Sequence, residues 1–105
     1  MGFKTDFKDN ELVLCLTGEF TIYDVSQAKK EILKYINNIS RVKIKSDELI
    51  RADTAGIQLV ISLVKTCIKN DIEIIMKKNS KIFEFASFPG NNLKTFLYER
   101  VKDHA

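Results

Sequence analysis

Histidine is nearly absent from this sequence of 105 residues, which contains only one. His104 stands next to the C-terminus, where chains usually fray and cannot hold a general base in a fixed geometry. With no other histidine, nucleophilic sites built on a Ser-His-Asp or Cys-His arrangement are excluded from the rest of the chain. The sequence therefore predicts no catalytic residues of this kind.

Cysteine is scarce too, with only Cys15 and Cys67, and each stands inside an apolar stretch. A metal site needs closely spaced pairs of ligands, which two isolated cysteines do not supply. We therefore expect no metal site. We expect both cysteines to be free, buried thiols that act as small hydrophobic side chains.

Glycine and proline are also rare, with four glycines and one proline. Neither of the phosphate-binding patterns G-x-x-x-x-G-K-S/T and G-x-G-x-x-G occurs in the sequence. No pair of carboxylates is singled out by its spacing. The sequence thus predicts a protein that is not an enzyme and that needs no cofactor.

Long apolar runs and clusters of basic residues are missing. No run reaches the ~18 residues that span a bilayer, and the N-terminal residues show no hydrophobic segment of a secretion signal. The net charge is only +3, and the lysines are scattered rather than interleaved with aromatic residues. We expect a soluble, cytoplasmic protein that neither inserts into a membrane nor binds nucleic acid.

What the sequence does contain is an ordinary globular mixture, with 45% hydrophobic and 30% charged residues. A chain of this length has room for one hydrophobic core. Residues 1–105 are therefore predicted to form a single domain.

Two strands are predicted near the N-terminus. Residues 11–17 contain a continuous apolar run, typical of a strand that is buried on both faces, and Gly18 is expected to end it. Residues 3–8 are predicted to form a preceding edge strand. The two strands would be joined by a turn at Asp9-Asn10, since both residue types favour turns.

Further strands are predicted later in the chain. Residues 41–45 alternate strictly between charged and apolar side chains, which indicates a strand with one solvent-facing side, and a polar connection is expected after it. Residues 72–76 form a short apolar run that is predicted to be another strand. The pattern of residues 93–101 fits either a helix or a last edge strand.

Apolar residues recur with helical spacing in two segments, which predicts helices over residues 23–37 and 55–70. A third, short helix is predicted over residues 81–88, because Ser80 can cap it. The second has the widest apolar stripe and should be the most deeply buried. The third is expected to end at Pro89-Gly90. Strands that alternate with helices in this way predict an α/β fold, a mixed and mostly parallel sheet of four to five strands with helices packed on it.

The segment Asp53-Thr54-Ala55-Gly56 opens the most apolar predicted helix, and it has two interpretations. In the structural one, Thr54 is the N-cap, its oxygen accepts a hydrogen bond from the first turn, and Asp53 complements the helix dipole. In the functional one, Thr54 is phosphorylated. A helix N-terminus tolerates a phosphate well, and the added charge would change the surface that a partner meets.

The sequence resembles the STAS domain family in two segments, Gly18-Glu19-Phe20 before the first helix and Asp53-Thr54-Ala55-Gly56-Ile57 at the start of the second. The family pattern is a G-E-hydrophobic segment after an early strand, then a D-S/T-S/A-G-L/I turn. The similarity in element order covers roughly residues 11–90. The resemblance implies a STAS-like fold and a partner-binding surface formed by these two segments.

In the anti-sigma-factor antagonists of that family, a partner kinase phosphorylates the hydroxyl residue directly after the aspartate. The resemblance therefore implies that Thr54 is the phosphorylated residue of a bacterial signalling protein that regulates transcription, with an anti-sigma factor that is also a serine/threonine kinase as partner. The Thr-Ala pair also resembles STAS proteins of chemotaxis operons and of phospholipid-transport ABC complexes. Those imply a constitutive subunit, bound to a chemosensory protein or a transporter ATPase, that needs no phosphorylation.

Overall fold

The computed structural model describes residues 2–76 and 81–82. The elements follow one another as β1 (Phe3–Lys8), β2 (Glu11–Phe20), α1 (Ile22–Tyr35), β3 (Arg41–Ala52), α2 (Thr54–Lys69) and β4 (Glu73–Ile75). The four strands form one sheet in the order β1-β2-β3-β4. Strand β1 is antiparallel to β2, whereas the β2–β3 and β3–β4 pairs are parallel. The predicted α/β fold with a mixed, mostly parallel sheet is confirmed.

The hairpin between β1 and β2 turns at Asp9 and Asn10, as predicted. Both residues have positive φ, 53° and 64°. Two-residue hairpin loops favour this conformation because its twist matches that of the strands, and Asp and Asn tolerate it better than most residues. The turn sets Phe3 opposite Leu16 and Lys8 opposite Glu11.

Strand β2 is longer than predicted, because Gly18 does not end it. The strand continues to Phe20. Gly18 has a φ of 57°, and the register of β2 against β3 shifts between Gly18 and Glu19. A glycine without Cβ adopts this backbone conformation at little cost, so β2 continues through Gly18, opposite the point where β3 contains an extra residue.

Strand β3 also corrects the prediction, since it runs unbroken from Arg41 to Ala52 where a polar connection was expected. The paired part of β3 contains two residues more than that of β2, one at each of the two register shifts. Ile50 is the extra residue at the second shift. The polar residues are accommodated because most of them face solvent. Ser46 is buried, and its hydroxyl accepts a hydrogen bond from the Ile82 amide at 3.3 Å.

The hydrophobic core lies between the sheet and the two helices. Every second residue of β2 from Leu12 to Leu16 is buried, whereas Val13 and Cys15 are half-buried, so the prediction of a strand buried on both faces is wrong. Helix α2 is the more deeply packed helix, as predicted, and it buries seven residues where α1 buries Ala28 and Ile32. Cys67 and Cys15 are both free thiols, and Cys67 is buried as expected, whereas Cys15 is half-buried.

Both helices begin and end close to their predicted bounds. Thr21 is the N-cap of α1, in a reciprocal capping box with Asp24. Helix α2 ends at the C-cap Asn70, and Asp71 follows with a φ of 58°. Residues 81 and 82 are helical, where the third helix was predicted to start. The rest of that helix, its predicted end and residues 93–101 lie outside the described residues.

Among the described residues, no helix has the length and apolar character needed to cross a membrane.

Candidate functional site

The two segments singled out in the sequence meet at one edge of the sheet. Strands β2 and β3 are parallel, and their last residues, Phe20 and Ala52, are paired. The carboxyl ends of parallel strands lie at the same edge of a sheet, so the turns that lead into α1 and α2 are neighbours there. We call this region, residues 18–23 and 50–58, the switch edge.

The centre of the switch edge is the Asp53 carboxylate. Its Oδ1 accepts a hydrogen bond from the Gly56 amide at 2.9 Å, which makes Asp53 the N-cap of α2. Its Oδ2 accepts another from the Ile22 amide, at the start of α1, at 3.0 Å. One side chain thus satisfies backbone donors at the beginnings of both helices.

The prediction that Thr54 caps α2 is therefore wrong. Asp53 has the extended backbone of a cap residue, with φ −88° and ψ 178°, and Thr54 is the first residue of the helix itself. Both residue types are good caps. Asp53 takes the position because its second oxygen has a further partner in Ile22.

The surroundings of Asp53 favour its ionised form. Partial burial raises the pKa of the carboxyl, but hydrogen bonds from the Gly56, Ile22 and Ala55 amides and the charge of Arg51 outweigh it, so that the pKa is lowered. An ionised carboxylate at the helix N-terminus is also favoured by the helix dipole. The N-terminus of α2 therefore already carries a fixed negative charge at neutral pH.

Close packing between the two turns depends on Gly56. A Cβ placed on Gly56 would lie 2.6 Å from the carbonyl oxygen of Phe20 and 2.9 Å from its ring. Real Cβ atoms do not approach backbone oxygens this closely. The residue lets the start of α2 lie against the end of β2, which keeps the switch edge compact.

The eight predicted site residues differ in exposure. Their placement from solvent to core is as follows: Glu19 and Thr54 are exposed, Gly18, Asp53 and Ala55 are half-buried, and Phe20, Gly56 and Ile57 are buried. Phe20 and Ile57 are completely inaccessible, and the Phe20 ring contacts Phe3 edge-on with centroids 6.2 Å apart. The buried members shape the turns, and the exposed members face solvent.

The structure adds residues to this edge that the sequence motifs did not mark. Ile50 is 73% exposed, and Ile22 and Tyr23, the first residues of α1, are 62% and 93% exposed. Arg51 forms an exposed ion pair with Glu19 across the two strands. Ile50 and Arg51 were missed because they lie between the predicted polar connection and the Asp53–Ile57 motif, outside both. The available signal was an isoleucine between the charged residues Glu48 and Arg51.

A second carboxylate fixes the start of α1. Asp24 accepts hydrogen bonds from the Thr21 amide at 3.1 Å and from the Gly2 amide at 3.2 Å. The Gly2 carbonyl in turn accepts one from the Thr17 amide at 2.9 Å. Gly2, which precedes β1, is thereby attached to the junction of β2 and α1 and helps to hold that side of the switch edge in place.

The described residues were also considered as possible metal ligands. Within residues 2–76 and 81–82, no group of three or more His, Cys, Asp or Glu side chains could hold a metal ion. What the switch edge offers is the exposed Thr54 at the start of α2, with the Asp53 carboxylate, the Arg51 guanidinium and exposed apolar side chains in the same region.

The order of elements and the Asp-Thr-Ala-Gly turn match a known family. The model of the STAS domain matches residues 3–85. The chain belongs to the STAS domain family. No curated protein sequence matches it significantly.

Solved structures show the same fold. The anti-sigma factor antagonist SpoIIAA in its unphosphorylated form is 19% identical, with a TM-score of 0.68 over 93% of this chain and 97% of that one. The Bacillus cell fate determinant SpoIIAA in the phosphorylated form is also 19% identical, with a TM-score of 0.73 over 98% and 91%. An uncharacterised Shewanella loihica protein with a SpoIIAA-like fold is 13% identical, with a TM-score of 0.60 over 96% and 80%. These likenesses establish a SpoIIAA-like STAS fold.

Proposed function

We propose that this STAS domain is a non-catalytic regulatory module of the cytoplasm that binds a protein partner through the switch edge, and that phosphorylation of Thr54 switches the binding. The partner class we propose is an anti-sigma factor with serine/threonine kinase activity. In this proposal residues 1–105 act as one domain, and the exposed side chains of the switch edge meet the partner.

The observation that carries the proposal is that Asp53 and Thr54 have different roles at the start of α2. Asp53 caps α2, so the Thr54 hydroxyl is exposed and is not the cap. A phosphate can be added there without the loss of a cap. Helix N-termini tolerate anions, so the modified domain would keep its fold while its surface changes.

The neighbouring charges suggest how the switch would act. A phosphothreonine carries about −1.5 to −2 charges at neutral pH, and it would stand next to the ionised Asp53 carboxylate. Arg51 lies close enough to influence Asp53 and is paired with Glu19. The phosphate would compete with Glu19 for Arg51, since an Arg–phosphate pair is strong, and this would rearrange the charged part of the partner surface.

The structural relatives support a phosphorylated state, because SpoIIAA is an anti-sigma factor antagonist with solved unphosphorylated and phosphorylated forms. The position of Thr54 in the matched family turn supports the choice of this residue. With a partner kinase, the hydroxyl oxygen of Thr54 would attack the γ-phosphate of a nucleoside triphosphate and release the diphosphate.

A second candidate function rests on the exposed apolar side chains. Ile22, Tyr23 and Ile50 are more than half exposed beside the turn. Apolar and aromatic side chains of this kind are typical anchors of stable protein interfaces. They would suit a constitutive subunit of a phospholipid-transport ABC complex or a chemosensory complex, in which Thr54 is not modified.

One experiment separates the two candidates. The tagged domain is captured from its native cytoplasm, the bound proteins are identified by mass spectrometry, and the modification of Thr54 is mapped in the same sample. The regulatory proposal predicts a kinase-containing partner and a phosphoryl group on Thr54 in the unbound fraction. Titration calorimetry with the purified partner then compares wild type with Thr54→Glu, which should bind more weakly by tenfold or more, about 1.4 kcal/mol.

The matched control is Ser40→Glu, which makes a similar exchange of hydroxyl for carboxylate at an exposed residue at the opposite end of β3. It should bind like wild type. A Thr54 that is never modified, with a transporter ATPase or chemosensory protein bound at the same edge, would support the second candidate. Equal affinity of wild type and Thr54→Glu would contradict the phosphorylation switch.

A further inference from the structure

A second surface lies away from the switch edge, in a groove between α1 and α2. Its apolar lining comes from both helices, with Ile32, Leu33 and the C-cap Ile36 from α1 and Leu59 and Leu63 from α2. The groove holds about 70 Å³ of solvent-accessible space. A buried water needs only a fraction of this volume, so the groove has room for several waters or for one large apolar side chain.

Leu33 marks the groove as an open apolar surface. Its side chain is 57% exposed although it lines the groove beside the buried Ile32. Exposed apolar side chains in a concave setting favour a binding surface over a merely incidental exposure.

On the α2 side of the groove, the charged side chains that the helix itself contributes are basic. Helix α2, Thr54–Lys69, contains no acidic residue at all. Lys69 lies three residues after groove-lining Thr66, and residues at this spacing are neighbours on a helix surface.

The α1 side is also basic. Lys29 lines the groove itself, and Lys30 lies three residues before Leu33 on the same helix. The nearby Lys34 is balanced by Glu31 at 3.1 Å, so it adds little net charge. The apolar groove is thus flanked on both sides by lysines.

We propose that this groove binds an amphipathic helix of a partner protein whose polar face is acidic. The apolar face would place a leucine-like side chain against Leu33 and Leu59, and the glutamates or aspartates beside it would meet Lys29, Lys30 and Lys69. A helix in a groove is a common recognition mode, in which apolar anchors give affinity and charge complementarity sets specificity. This contact is separate from the switch edge and does not depend on the phosphorylation of Thr54.

The test uses the ¹⁵N-labelled full chain and two synthetic helical peptides of roughly 18 residues. Both have leucine at i, i+3, i+4 and i+7, and their remaining positions are mainly glutamate in one peptide and lysine in the other. The glutamate peptide should shift the amide resonances of Leu33, Leu59 and Leu63 and bind at least tenfold more tightly than the lysine peptide. Its affinity should fall as salt is raised.

Variants assign the contact to the groove. Lys29→Glu combined with Lys69→Glu should weaken binding of the glutamate peptide by about tenfold, since rim charges contribute modestly one by one. The control Lys4→Glu, on β1, should leave the affinity unchanged, and Thr54→Glu should do the same if the groove is independent of the switch edge. A dispersed amide spectrum confirms that each variant is folded.

Several results would overturn the proposal. These are no shift at millimolar peptide, equal binding of the two peptides, or unchanged binding by the Lys29→Glu, Lys69→Glu variant. Nuclear Overhauser contacts in the free chain from Leu33 to residues beyond 82 would assign the groove to the chain's own segment. Dimerisation in ultracentrifugation that is lost in Leu33→Ser would assign it to a second copy.

Discussion

The amide nitrogen of Ile22 lies 3.0 Å from Oδ2 of Asp53, although 31 residues separate them in the sequence. The other oxygen of the same carboxylate caps α2. Asp53 therefore links the starts of both helices within the switch edge.

Replacing Asp53 by Ala should lower the free energy of unfolding by about 1–2 kcal/mol, because a cap and a second backbone partner are lost. Denaturant unfolding followed by circular dichroism measures the change. The control is Asp47→Ala, at an exposed residue of β3, which should change it by less than ~0.5 kcal/mol. A loss at Asp53 no larger than the control would contradict the double cap.

The same carboxylate predicts a pH dependence. The pKa of Asp53 is lowered in the folded state from its ordinary 3.8, so the unfolded chain binds its proton more readily. The stabilisation is complete above pH 3.8 and is lost as the pH falls through the lower folded value. Unfolding curves between neutral and strongly acidic pH should show this loss in wild type, and Asp53→Asn should show a smaller one.

Replacing Thr54 by Ala should change the stability by less than ~0.5 kcal/mol, because the exposed side chain is not the cap. Thr54→Glu should be equally mild, since a negative charge at a helix start is favoured by the dipole although Asp53 opposes it. Thermal and denaturant unfolding check both. A loss above ~1 kcal/mol in Thr54→Ala would mean that the hydroxyl has a structural role and would weaken the case for a switch.

Replacing Gly56 by Ala should destabilise the domain by about 1–3 kcal/mol, because the new methyl group would collide with the Phe20 carbonyl. The direction of the change in stability is informative, because replacing glycine by alanine at an exposed position inside a helix would instead add about 1 kcal/mol of stability. Gln58→Ala, at an exposed residue in the same turn, is the control and should be close to neutral or slightly stabilising. If Gly56→Ala is as stable as wild type, the two turns are less tightly packed than described.

Replacing Val60 by Asp should abolish cooperative folding, because an unpaired charge buried in the core costs several kcal/mol. Val60 is completely inaccessible, whereas Gln58 on the same helix is exposed. Gln58→Asp is therefore the matched control and should unfold cooperatively. A folded Val60→Asp variant would show that α2 is not buried against the sheet. Ile61→Asp, at a residue that is 8% exposed, provides a second test with the same expected result.

The two cysteines should differ in reactivity. Burial raises the pKa of the Cys67 thiol to about 11, so that almost none of it is thiolate at neutral pH, and the side chain is inaccessible. Cys15 is only half-buried. Iodoacetamide should therefore modify Cys15 first, as followed by mass spectrometry, and Cys67 only in denaturant. Equal rates in the folded protein would contradict the burial of Cys67.

The sequence by itself determined the type and order of the elements in the described part of the chain. Alternation in residues 41–45 and the wide apolar stripe of residues 55–70 reflect local periodicities, which are set by the geometry of strands and helices. The turn at Asp9-Asn10 was predictable for another local reason, because Asp and Asn tolerate the positive φ values that the turn requires. The Gly18–Phe20 and Asp53–Ile57 segments, together with the order of the elements, also indicated the STAS domain family, which is confirmed.

Only the tertiary structure decided the ends of the strands and the roles within the motif. Strand β2 passes Gly18, and β3 passes its charged residues, because each has the other as a pairing partner and bulges absorb the mismatch. Asp53 rather than Thr54 caps α2 because the Ile22 amide, distant in sequence, binds the second carboxylate oxygen. Both residues are good caps, so the choice depends on a long-range contact that local periodicity does not encode.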